Sequence, residues 1–187
     1  MQALSRKNKG TKYIFTVIDV FFKYAWAIPV KNKGGLEIKN AFELLFQMSN
    51  PRKPDKLQTD AGKEFLNKAH RVLLFVSHRD KKAAVVERFN RTLKKWTYFT
   101  AKQTTIYIDK LLDFVKSYNH SVDRMIGMRP SDVREEDQDR IWPNLYGNNL
   151  TRPRTPSVVG KMARISIIKG LPNWSEDYGF PHKIMDS

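Results

Sequence analysis

The feature that most constrains the fold is a succession of short β-branched runs interleaved with amphipathic helical patterns. Between Thr11 and Val20, Tyr13, Phe15 and Val17 alternate with Ile14, Thr16 and Ile18, the period-two signature of a strand. Ala25–Val30 reads as a second strand, closed by Pro29 and the KNKGG turn, and the two predict an antiparallel pair. Leu36–Ser49 switches to helical spacing. Ile38, Ala41, Phe42, Leu45 and Met48 form its stripe, and Ser49, Pro51 and Pro54 end it. Lys56–Thr59 is a short buried strand. The run Leu73–Val76 fits either the end of a helix or a further strand, because periodicity cannot decide so short a segment. Helices follow at 84–99 and at Ile106–Asn119, the latter with Ile108, Leu111, Leu112, Val115 and Tyr118 in line. Strands covered by helices make the fold class α/β.

The charge balance bears on partners. Lys and Arg number 34 against 19 Asp and Glu, a net charge of +15, which favours a polyanion. There is no cysteine, so disulfides and cysteine-based zinc sites are excluded. His70, His78, His120 and His182 are scattered without ligand spacing. No apolar run reaches the ~18 residues of a membrane span, and the basic first residues lack the apolar core of a signal peptide. These features predict an intracellular protein, nuclear if it meets chromosomal DNA, with no membrane and no small-molecule substrate.

Two carboxylates stand out by position. Asp60 closes the strand Leu57-Gln58-Thr59, and Glu87 opens the helix that continues Arg88-Phe89-Asn90-Arg91-Thr92-Leu93-Lys94. Acids on two different elements, in a basic surround, suit Mg²⁺, which takes few protein oxygens and leaves positions for water and phosphate. Helical spacing groups Glu87, Asn90, Arg91 and Lys94 on one face and Val86, Phe89, Leu93 and Trp96 on the other. Taken alone, Asp60-Ala61-Gly62 is an ordinary turn, and Glu87 with Arg91 an ordinary i,i+4 surface pair.

The wording around these acids changes that balance. TDAGKEF followed by VVERFNRTLKK resembles the second and third acids of the retroviral-type D,D-35-E integrase core. The segments KGTKYIFTVIDVFFKYAWAIPVKNKGG and SYNHSVDRMIGMRPSDV bring the resemblance closer to integrases of Polinton/Maverick-like elements and their transposon-derived relatives. It runs from about residue 9 to 134 and resumes at 157–177. The resemblance implies an RNase H-like mixed sheet flanked by helices, and a Mg²⁺- or Mn²⁺-dependent polynucleotidyl transferase acting on DNA. Asp60 and Glu87 would then hold metal and do the catalysis. Lys63, Asn90, Arg91 and Lys94 would contact DNA, with Gly62 and Lys63 on a DNA-facing loop. It also implies self-association through the C-terminal helical hairpin.

Three departures accompany it. Twenty-six residues separate Asp60 from Glu87, short of the thirty-five that name the signature. The family's first acid lies on a strand before KYIFTVID, and residues 1–10 contain no Asp or Glu. Asp19, at the far end of the following strand, is expected to brace a turn instead. Domain organisation is expected as an integrase-like core at 1–134, a linker at 135–156, and a shortened SH3-like β-barrel remnant at 157–187, either lying on the main domain or partly disordered. The reading is therefore a transposon-derived integrase domain impaired in catalysis, or a DNA-binding or assembly protein descended from one.

Overall fold

The computed structural model describes residues 2–49, 56–59, 74–76, 84–104, 106–147 and 162–169. In chain order they form α1 (Gln2–Lys7), β1 (Tyr13–Asp19), β2 (Ala25–Val30), α2 (Gly35–Met48), β3 (Lys56–Thr59), β4 (Leu74–Val76), α3 (Ala84–Thr104), α4 (Leu111–Asn119), α5 (Gln138–Tyr146) and β5 (Met162–Lys169). Short 3₁₀ turns at Ile108–Lys110 and Glu135–Asp137 lead into α4 and α5.

The strands make one mixed sheet in the order β2-β1-β5-β3-β4. β1 is antiparallel to β2 and to β5, while β3 runs parallel to β5 and β4. Side chains alternate across the pleat, so β1 supplies two cores at once. Ile14 and Ile18 join Ala25 and Ala27 beneath α3 and α4, meeting Val86, Phe89, Leu93, Leu111 and Val115. Phe15 and Val17 join Trp26, Ile28 and Val30 against Ile38, Ala41, Phe42 and Leu45 of α2. The Ile38–Leu45 stripe falls as its spacing predicts, but Met48 and Leu112 stay 44% and 54% exposed. Each stripe is therefore narrower than its apolar letters suggest.

β2 is an edge strand, and its outer side is managed by two devices. Pro29 is exposed there and needs no ladder partner for a missing N–H. At Ala25 the outer N–H and C=O are both taken by Asn119, at the end of α4. The Ala25 N–H donates to Asn119 Oδ1 and Asn119 Nδ2 donates to the Ala25 carbonyl, each at 2.9 Å.

Two expectations for the C-terminal third change. Residues 135–146, expected as a linker, are helical. Ile141 is fully buried with Phe21, Phe22, Ile126 and Val133 at the turn end of the β1–β2 hairpin, and Trp142 packs against this cluster. The Asn-, Pro- and charge-rich composition concealed this one apolar anchor. The stretch expected to start a barrel remnant contains β5, which is a central strand of the main sheet, paired on both sides. Residues 148–161 and 170–187 lie outside the described residues.

Candidate nucleic-acid and metal site

α3 is the element on which the candidate site is built. Its buried side is Val86, Phe89, Asn90, Leu93 and Thr97, an i, i+3, i+4, i+7, i+11 pattern that seats the helix on β1. Asn90 thus lies on the packed face, 7% exposed, and not on the solvent face with Glu87 as the spacing suggested. Thr16, completely buried on β1, donates its hydroxyl to Asn90 Oδ1 at 2.8 Å. A hydrogen bond between two buried side chains in an otherwise apolar seam fixes both the rotation of α3 and its position along β1. Asn90 is therefore an internal pin, and its role as a DNA contact is withdrawn. The signal for the pin was present in the sequence as Thr16, the lone polar residue in the interior of YIFTVID.

With that face fixed, Glu87, Arg88, Arg91, Thr92 and Lys95 are exposed and Lys94 is half-buried. α3 carries Arg88, Arg91, Lys94, Lys95 and Lys102 against Glu87 as its one acid. Ion pairs among the described residues join Lys9 to Asp109, Lys39 to Glu43, Arg134 to Glu136 and Arg140 to Asp137. The i,i+4 pair that Glu87 and Arg91 could have made is not among them, so both charges of this turn face solvent. Arg88, which the motif-based reading passed over, extends the basic stripe by about a turn toward the start of α3, and Lys95, passed over likewise, widens it beside Lys94. Arg88 also lies near Tyr118. Burial, helped by Asp123 and opposed by Arg88, pushes the Tyr118 hydroxyl up to about 12.

The sheet brings the strand that leads to Asp60 close to this helix. Gln58 is in register with Arg164 of β5, which is in register with Ile18 of β1. β3 is two strand spacings from β1, roughly 10 Å, and α3 packs over both β1 and β5. The chain leaves β3 at Thr59; Asp60 and Lys63 lie outside the described residues. Among the described residues no three His, Asp or Glu side chains gather as a metal cluster. Glu87 has the donor chemistry of a Mg²⁺ ligand, an exposed carboxylate outside any ion pair among the described residues.

Asp19 does something else. It is 4% exposed, and its Oδ1 accepts the N–H groups of Phe21 at 2.8 Å and Phe22 at 2.7 Å. Its backbone N–H donates to the Tyr24 carbonyl at 2.8 Å, and Lys23 adopts a positive φ of 60°. This carboxylate braces the hairpin turn, as the sequence led one to expect.

Sheet order and helix placement give a mixed α/β fold similar to that of an integrase catalytic core. The catalytic core domain of HTLV-2 integrase, solved with magnesium in a trimeric form, superposes with a TM-score of 0.54 at 17% identity, covering 64% of this chain and 82% of that one. In sequence, the chain is 33% identical over 152 residues to an uncharacterised transposon-derived protein of Caenorhabditis elegans, an overlap of 76% of this chain and 53% of the relative. The chain thus spans about half the length of that relative. No protein-family model matches it.

Proposed function

We propose that this chain is an integrase-core-like domain of transposable-element origin that binds DNA along α3 and does not itself complete strand transfer. The observation that carries the DNA reading is the solvent face of α3, where Arg88, Arg91 and Lys95 form a basic stripe beside the half-buried Lys94. Arg91 and Lys94 are assigned to DNA phosphates, as is Lys63. A duplex offers one negative charge per about 1.7 Å of axis, so a rigid row of cations meets several phosphates without reorganising.

Asp60 and Glu87 are the assigned ligands of a Mg²⁺ or Mn²⁺ ion, which when bound supplies Lewis-acid polarisation of a phosphate oxygen. The non-catalytic reading is favoured by the composition of the sheet. β5, between β1 and β3, reads MARISIIK; β3 reads KLQT and β4 LFV. None of these strands holds an acid, and Asp19 of β1 is engaged by its turn. Two carboxylates offer two negative charges against the four positive charges of a metal pair, which leaves a second ion poorly held. A nuclear location and self-association belong to the same reading. No helix among the described residues is long and apolar enough to cross a membrane.

The test is duplex binding by the 187-residue chain as a function of salt. Each neutralised phosphate contributes about −0.9 to the slope of log K against log salt. Arg91→Ala and Lys94→Ala should each flatten the slope by about one unit and weaken binding across unrelated sequences alike. A salt-independent affinity, or slopes untouched by both changes, overturns the assignment of α3.

A further inference from the structure

The KNKGG turn that follows β2 gathers exposed cations at one corner of the sheet. Lys31 and Lys33 in this turn, and Lys12 at the start of β1, are all exposed. The three are held on one double loop. The Lys12 N–H donates to the Val30 carbonyl at 3.2 Å, and Tyr13 is in register with Val30. The Lys31 N–H donates to Glu37 Oε1 at 2.8 Å and the Gly34 N–H to Asn32 Oδ1 at 2.7 Å, which order the turn from inside. The aliphatic stem of Lys31 passes Gly10, where an added Cβ would lie 4.0 Å from Cδ and Cε; Gly10 itself has a φ of +78°. The Lys33 ammonium sits over the Tyr13 ring, 5.6 Å from its centroid. These cations share a preformed scaffold, so little ordering entropy is lost when they engage a ligand.

This corner is separate from the stripe on α3. Lys12 lies four residues before Thr16, just ahead of β1 and roughly 14 Å away at strand rise, and Thr16 marks where Asn90 of α3 is pinned. Tyr13 packs with the cluster beneath α2, on the face of the sheet opposite α3. Glu37 is the one acid of this turn, and its Oε1 accepts a backbone N–H.

We infer that this corner, Lys12, Lys31 and Lys33 around Tyr13, is a second nucleic-acid contact surface that takes the phosphate backbone at the open end of the β1–β2 hairpin, away from the Asp19 turn. A polynucleotide is favoured over a compact anion because the three exposed lysines are spread across two loops, one before β1 and one after β2. The aromatic ring among them offers a flat apolar surface beside the charges, which suits a sugar or base edge. The inference extends the reading of α3 as a DNA-binding element but rests on different residues.

The experiment is anisotropy of a labelled 20-base-pair duplex with the whole chain between 50 and 200 mM salt. It uses two triple variants, Lys12→Ala/Lys31→Ala/Lys33→Ala and Arg88→Ala/Arg91→Ala/Lys95→Ala. Thermal unfolding is followed in parallel, and a lysine-to-arginine triple variant of the corner keeps the charge. Loss of the corner should flatten the salt slope by about 2.7, three contacts at 0.9 each, and the arginine variant should restore it. An unchanged slope in the corner variant, while the α3 variant loses affinity, overturns this inference and leaves the α3 reading standing. Loss in the corner variant alone supports the inference and overturns the α3 reading. Binding of phosphatidylserine vesicles as tight as duplex binding, abolished by the same corner variant, would make the surface a lipid contact and overturn the inference.

Discussion

The Thr16–Asn90 hydrogen bond is the joint between the sheet and α3, and its removal has a calculable result. Thr16→Val keeps the shape and the β-branch but deletes the donor. Asn90 Oδ1, on a side chain only 7% exposed, loses that partner, a penalty of about 1–3 kcal/mol. Asn90→Ala deletes the acceptor and leaves the fully buried Thr16 hydroxyl without it, at a similar cost. Removing both partners should cost less than the sum, because no buried polar group of the pair then remains; the coupling should lie between about 0.5 and 3 kcal/mol. For a chain of this size, 1 kcal/mol corresponds to roughly 2–4 °C in Tm. The assay is urea unfolding of the four members of the cycle, followed by circular dichroism. The two single variants should lose stability at unchanged m-value, and Thr16→Val/Asn90→Ala should lose less than the sum of the two. Strictly additive losses, or single variants indistinguishable from the parent, would refute the claim that this pair seats α3.

Asn119→Ala should destabilise the chain by about 1–3 kcal/mol for each Ala25 group left unpaired. It should also increase aggregation on warming, since it opens the outer side of β2; light scattering during a thermal ramp checks this. Tyr118 holds its proton more tightly in the folded chain, at about 12, mainly through burial, against about 10 when unfolded. Its contribution is therefore complete below pH 10 and is lost as pH rises from about 10 to 12, on the order of 2–3 kcal/mol. Comparing Tyr118→Phe with the parent over that range should show a shallower fall in the variant. Strand transfer in Mg²⁺ or Mn²⁺ should be undetectable for the 187-residue chain, and activity that disappears in Asp19→Asn would contradict the turn-bracing role of that carboxylate.

Much of the fold was legible because the periodic signals were strong. β1 came from dense β-branched alternation, β2 from the short run closed by Pro29 and the KNKGG turn, and α2 from five apolar residues whose spacing admits one helical face. Asn90 was misplaced for an instructive reason. Its neighbours at i−3 and i+1 are charged, so the motif grouped it with them. The buried arc of α3 is wider than its apolar letters, and a polar residue can sit in it when a buried hydroxyl such as that of Thr16 meets it. The helix at 138–146 escaped notice because Ile141 and Trp142 are flanked by charges, Asn and Pro143. Its burial depends on Phe21 and Phe22, more than a hundred residues away in sequence. The position of β5 was equally illegible locally. Alternation in MARISIIK announces a strand but carries nothing about which sheet it joins, since register and neighbours are set by long-range pairing. The basic face of α3 was half legible: Arg91 and Lys94 came from the motif, whereas Arg88 and Lys95 required knowing which way the helix is turned.

The most direct test of the central claim is mapping where a duplex touches the chain. A photoactivatable duplex cross-linked to the whole protein and read by mass spectrometry reports contacts residue by residue. The account predicts cross-links on the solvent face of α3, at Arg88, Arg91 and Lys95, and none on its buried face at Phe89, Asn90 and Leu93. Cross-links confined to α5 or α4, with α3 unmarked, would contradict it.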